Sequence, residues 1–267
     1  MEEERIRRDA PTNRGVSTRH ADNLAIRIYE NRTSMGLDAA DMVCKRINDI
    51  LEHQEVVNVI FAAAPSQNEF LAALVENTTI DWTRVNAFHM DEYIGLPEND
   101  ARTFAHFLKD KIFSHLNFHS VNYINGNAAD PGAECNRYAE LLEQYPTDIV
   151  CMGIGENGHI AFNDPHVADF NDPLKVKIVT LDNACRQQQV NDGCFAEFGN
   201  VPTHALTLTV PTLMAGRHIY SIVPGPKKAK AVYNTVYGEI IEKYPSTILR
   251  KHDDAILFLD KDSSGLL

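Results

Sequence analysis

Short, nearly continuous apolar runs alternate along this chain with stretches whose apolar residues recur every three or four positions. The runs at 24–29, 56–62, 84–89, 148–152, 176–181, 205–210, 219–223 and 255–259 predict strands. The most continuous of them fit strands covered on both faces. The helical period predicts a helix from a cap at Ser34 to about Leu51, with Ala39, Val43, Ile47 and Ile50 on one face. Further helices are expected over 68–76, 103–116, 132–144 and 227–237. This alternation implies an α/β fold: a single-domain, mostly parallel doubly wound sheet with helices on both faces, Rossmann-like in plan. Residues 1–22 are polar and aperiodic and read as an N-terminal arm, leaving 23–267 as the domain. No repeat, low-complexity tract or Pro/Gly-rich linker divides it.

Composition narrows the partners. The 267 residues are 44% hydrophobic and 23% charged, with 25 Lys and Arg against 37 Asp and Glu, a net charge of −12. Such a surface is a poor general attractor for nucleic acid or an anionic membrane, yet a few placed cations can still hold one small anion. Cys44, Cys135, Cys151, Cys185 and Cys194 are scattered without CxxC spacing, as expected of a reduced, cytoplasmic protein. The first residues lack a signal-peptide core, and no apolar run approaches a membrane span of roughly 20 residues.

In a parallel α/β sheet, ligands sit beyond the carboxyl ends of strands, so the residues just after each run hold the candidate chemistry. After 56–62 comes Ala63-Ala-Pro-Ser-Gln-Asn and then a helical pattern. Its backbone N–H groups, Ser66 and Gln67 can hold an anion, or the segment is an ordinary turn capped by Ser66 or Asn68. After 84–89 come Asp91 and Glu92. Adjacent strand residues face opposite ways, so one acid of the pair should enter a cleft. There it is either a general base with a pKa raised by burial, or a salt-bridged or helix-capping acid. After 148–152 comes "GIGENGHIAFNDP", residues 153–165, which brings Glu156, Asn157, His159 and Asp164 together. His159 titrates near neutrality and can exchange a proton with a substrate oxygen while a carboxylate fixes its tautomer. The alternative is a structural turn around a hydrogen-bonded histidine; no HxxxH or HxH pattern surrounds it to suggest zinc. Arg186 and Lys228 follow two further runs and suit phosphate, or are surface cations.

The segments "HMDEYIGLP", "GIGENGHIAFNDP", "HALTLTVPTLM" and "VPGPKKAKAV" resemble, in this order, the glucosamine-6-phosphate deaminase family, and the resemblance spans residues 24–262. The related 6-phosphogluconolactonases share the fold, but their glycine–histidine segment continues differently. The resemblance implies ring opening, proton transfer from C2 to C1 and release of ammonia, with no cofactor and no metal. It gives Asp91 as the base, His159 as the ring-opening residue and Asp164 as its supporting acid. Asn157 falls where an aspartate is often found. Arg186 and Lys228 match phosphate ligands, and Ser66 lies in the phosphate loop; Gln67 and Glu92 complete the expected substrate-binding set. The implied partner is a phosphorylated amino sugar, with glucosamine 6-phosphate or its galactosamine epimer as substrate, and a homo-oligomer is compatible with it. Two departures stand out: a phosphate loop without glycine that contains Pro65, and an aspartate at 164 where glutamate is usual. They leave a lactonase and a non-catalytic sugar-phosphate sensor as alternatives. The chain also lacks the elongated C-terminal tail of allosteric relatives, so allosteric activation is not expected.

Overall fold

The computed structural model describes residues 16–97 and 99–267. β1 (Ser17–Ala21) and β2 (Leu24–Tyr29) form a two-residue hairpin in which Asp22 takes the left-handed conformation, φ 50°. There follow α1 (Arg32–Leu51), β3 (Val57–Phe61), α2 (Asn68–Glu76), β4 (Val85–His89), β5 (Asp91–Tyr93), α3 (Phe104–Leu108) and β6 (Ser120–Asn122). The second half holds α4 (Pro131–Gln144), β7 (Ile149–Met152), β8 (Val176–Thr180), α5 (Asn183–Asn191), β9 (His204–Leu208), α6 (Val210–Met214), β10 (His218–Val223), α7 (Ala229–Tyr237) and β11 (Ala255–Asp260).

The main sheet has the order β1-β2-β11-β10-β7-β3-β4-β6, and only the β1–β2 pairing is antiparallel. Alternate residues of its strands feed two separate cores. Val57, Val59 and Phe61 of β3, with Ile149 and Cys151 of β7, pack with Met35, Val43 and Ile47 of α1 and Phe70 and Leu74 of α2. Ile60, Val150 and Met152 point the other way, towards Tyr138 and Leu142 of α4 and Val232 and Val236 of α7. Each fully buried aliphatic side chain contributes about 1.5–3 kcal/mol. The two-sided burial explains why these strands are almost wholly apolar.

From β3 the chain winds outward through β4 to β6; from β7 it winds the opposite way through β10 to β11. The loops leaving β3 and β7 therefore diverge and open a crevice at the carboxyl ends of these neighbours.

Several expectations change. Helix α1 is capped by Asn31, whose Oδ1 accepts from the Ser34 N–H, so Ser34 lies inside the first turn. Residues 17–21 of the expected polar arm form the edge strand β1 against β2, and the first fifteen residues of that arm lie outside the described residues. The runs at 176–181 and 205–210 do not join the parallel sheet. They form β8 and β9, which make a three-stranded antiparallel sheet with β5. The helix expected over 103–116 is a short α-helix continued by a π-turn over Lys109–Phe113.

Candidate active site

The loop after β3 enters α2 through a 3₁₀ turn, Pro65–Gln67. Gln67 is buried, and its Nε2 donates to Ser66 Oγ at 3.0 Å and to the Ile222 carbonyl on β10 at 3.1 Å. It anchors Ser66 and is not among the residues lining the cavity, where the sequence expects a substrate contact from it. Arg32 braces the same loop by donating to the Pro65 carbonyl at 3.0 Å while pairing with Glu69. After β10, a turn at Pro226–Lys228 brings in Lys228, only 7% exposed. Burial pulls the pKa of its ammonium down, against the opposing pull of Asp192 and Glu156. Among the described residues no carboxylate lies within ion-pair distance of it.

The loop after β7 builds the histidine. The Asn157 side-chain carbonyl lies 2.7 Å from His159 Nδ1 and also accepts from the His159 N–H at 3.0 Å. Asp164 Oδ1 sits 3.0 Å from the same Nδ1, and Asn157 Nδ2 donates to it at 3.0 Å. With two acceptors facing Nδ1, that nitrogen carries the proton, and Nε2 is left as the basic nitrogen for the cavity. Burial alone would raise the Asp164 pKa, but His159, Asn157 and the Asp182 N–H together hold it below the usual value. The shorter acid thus still reaches the imidazole. Gly155 is required by contact: a Cβ there would lie 2.2–2.4 Å from three atoms of the His159 ring.

Asp91 arrives from a different sheet. Beyond β4 the chain switches into β5, where Asp91 pairs with Thr207 of β9. Its buried carboxyl lines the same cavity with Met90, Ala161, Phe104 and Phe162. Burial, reinforced by the charge of Glu92, pushes its pKa well above the usual carboxylate range, and no hydrogen bond offsets this. Glu92 faces away, as the strand alternation requires. Its carboxylate accepts from the N–H groups of Tyr93, Phe104 and Ala105 at 2.9, 3.0 and 2.8 Å and so caps α3. Burial still raises its pKa to about 7 in spite of those donors. In this arrangement it serves as a helix cap and is not among the residues lining the cavity that holds Asp91. A larger cavity of about 610 Å³, bounded by Glu92, Thr103, Lys109, Tyr123 and Asn125, contains none of Ser66, Asp91, His159 and Lys228.

Ser66, Asp91, His159 and Lys228 thus converge on one cavity, with Asn157 and Asp164 behind the histidine. Arg186 does not join them. It lies on α5, donates to the Phe198 and Val201 carbonyls at 3.1 and 2.9 Å, and stacks its guanidinium 4.2 Å from the centre of the Phe198 ring. In this arrangement it is not among the residues lining the cavity, where the sequence expects its phosphate contact. Gln188 and Gln189 of the same helix line the cavity instead. The buried residues Cys185, Gln188 and Gln189 follow the i, i+3, i+4 spacing of one helical face, and this pattern turns Arg186 elsewhere. Ligand-type atoms of His159, Asp164 and Cys185 lie within 4.8 Å of one another. In this cluster Nδ1 of His159 already faces Asn157 and Asp164, so the same atoms serve to orient the imidazole.

Residues 30–258 match the family described as glucosamine-6-phosphate isomerases/6-phosphogluconolactonase. The chain belongs to that family, a family of enzymes. A glucosamine-6-phosphate deaminase of Bacillus cereus is 33% identical over 229 residues, covering 86% of this chain and 85% of the relative. One from Bacillus cytotoxicus is 36% identical over 194 residues, 73% and 72% of the two chains. Among solved structures, a monomeric glucosamine-6-phosphate deaminase superposes with a TM-score of 0.83 at 27% identity, over 91% of this chain and 99% of the other. A 6-phosphogluconolactonase from Thermotoga maritima gives 0.73 at 16% identity, over 89% and 100%, a likeness of fold. The described helices include none long and apolar enough to cross a membrane.

Proposed function

We propose that the protein converts a 2-amino-2-deoxyhexose 6-phosphate and water to the ketose 6-phosphate and ammonia, with glucosamine 6-phosphate as the leading substrate and its galactosamine epimer as the alternative. The observation that carries this reading is the meeting of the unpartnered Asp91 carboxyl, His159 and the unpaired Lys228 ammonium on one cavity. In the proposed course, Nε2 of His159 takes the proton from the anomeric hydroxyl as the ring C–O bond breaks and delivers it to the released ring oxygen. Asp91 then removes the C2 proton and returns it to C1 while a proton passes from the amino nitrogen to O1, leaving a ketimine at C2. Water adds at C2 and ammonia leaves. Lys228 and Ser66 hold the phosphate. A carboxyl with a raised pKa suits the transfer, because it gives and takes a proton with little energetic imbalance near neutrality. The free thiols of all five cysteines support a reducing, cytoplasmic setting. The lactonase alternative has support from fold only.

The test is to incubate the purified protein with each epimer and measure ammonia and ketose phosphate. Release from glucosamine 6-phosphate is expected. Asp91→Asn should lower kcat by about 10²–10⁴-fold while keeping ligand-induced thermal stabilisation. Stabilisation without turnover in the wild type would leave the sensor reading standing and end the enzymatic one.

A further inference from the structure

Two glutamines on α5 face the cavity, and their hydrogen bonding differs. The Gln188 Oε1 accepts from the Glu156 N–H at 2.8 Å, and its Nε2 donates to Asp192 at 3.3 Å. Both ends of that carboxamide are occupied, and the residue stitches α5 to the loop after β7. Gln189 is also more than nine-tenths buried, at 7% exposed, and lines the same wall. Yet its carboxamide makes no hydrogen bond to any described residue. Its position is fixed from behind: the Gln189 carbonyl accepts from both the Cys194 and Phe195 N–H groups, and Phe195 packs on Tyr93 with ring centres 5.5 Å apart. A cavity-facing amide with no partner among the described residues is free to hydrogen-bond what enters the cavity.

We propose that Gln189 is a substrate-recognition residue that reads a hydroxyl of the sugar, not its phosphate. A carboxamide carries a donor and an acceptor, and a hydroxyl is likewise both, so the two can satisfy each other fully. A phosphate dianion offers only acceptors. It would engage Nε2 and leave Oε1 facing negative charge. The anion already has Lys228 and the Ser66 hydroxyl, which supply charge and donors without that conflict. Gln67 is no counter-example, because its Nε2 is spent on Ser66 and Ile222. The inference rests on the proposed sugar-phosphate reading and deepens it.

The experiment compares dissociation constants of wild type, Gln189→Leu and Gln189→Met for glucosamine 6-phosphate and for inorganic phosphate, by thermal shift or calorimetry. Asp91→Asn serves as the common background so that turnover does not intrude. Loss of one neutral hydrogen bond should weaken the sugar phosphate about tenfold in the leucine variant. Inorganic phosphate should change by less than about twofold. The uncharged, near-isosteric methionine variant guards against misfolding; it should lose sugar-phosphate affinity as the leucine variant does and keep phosphate binding within the same margin. Equal weakening of both ligands, or of neither, overturns the assignment. Failure of the deaminase reading would show separately, as absence of ammonia release by wild type while these binding ratios remain measurable.

Discussion

A carboxyl enclosed by Met90, Ala161 and Phe162, with no donor to stabilise its charge, gives up its proton late. The base must be ionised to take the C2 proton. Activity should therefore fall as pH drops through a pKa above the ordinary carboxylate range. Asp164 moves the opposite way, held low by His159 and Asn157 against its burial, so it stays anionic throughout and adds nothing to that acid limb. At the alkaline end, burial lowers the Lys228 pKa, so its charge is lost earlier than that of a surface lysine. The expected kcat/KM profile is a bell whose acid side reports the bases of the site, Asp91 and the unprotonated Nε2 of His159, and whose alkaline side appears mainly as a rising KM. Steady-state kinetics from pH 5 to 10 check this. An acid limb at the ordinary aspartate value would remove Asp91 as the buried base. The strand-end rule made Asp91, His159 and Lys228 legible in the sequence, because each follows an apolar run. The second acid was legible only as an alternative: alternation says that one of Asp91 and Glu92 points inward, and the cap on α3 decides which.

Longer apolar strands left a clear trace, and short strands of polar residues did not. β3 and β7 are continuous apolar runs because both sides of the sheet are covered. β5 is Asp-Glu-Tyr and β6 is Ser-Val-Asn, three residues each, and their pairing is set by partners far along the chain. No local pattern announces them. Helix α5, NACRQQQVN, has too few apolar residues to show a stripe, and its start is secured by the Asp182 carboxylate accepting from the Cys185 N–H at 2.6 Å. Missing that helix is what misplaced Arg186. Once the helix is drawn, Arg186 belongs to the face that holds the Phe198–Val201 segment. Arg186→Ala should therefore leave KM within about twofold of wild type. Removing the stacked cation and both of its donated bonds should lower stability by about 1–3 kcal/mol. Parallel kinetics and thermal melts separate the outcomes. A large rise in KM with an unchanged melting temperature would restore the phosphate role.

At the scale of the whole molecule, charge and site pull in opposite directions. The chain carries −12 overall, and the proposed substrate is itself an anion, yet among the described residues the cavity that receives it is lined by one lysine or arginine, Lys228. That cation is buried at the end of β10, so its field is felt at short range, while the net charge acts over the Debye length. This length is about 30 Å at 0.01 M salt and about 10 Å at 0.1 M. At low ionic strength an approaching sugar phosphate meets repulsion before it meets the lysine. Raising salt from about 10 to 100 mM should increase kcat/KM, by about two- to fivefold, with kcat unchanged because the bound complex is shielded from solvent ions. Salts of weakly binding monovalent ions keep competition at the phosphate site out of the measurement. A decrease over the same range would mean that a local positive field guides the substrate in spite of the acidic surface, with exposed cations near the mouth, such as Lys227, as the first to substitute. The sign of that slope thus separates capture by a buried charge from steering by a surface one.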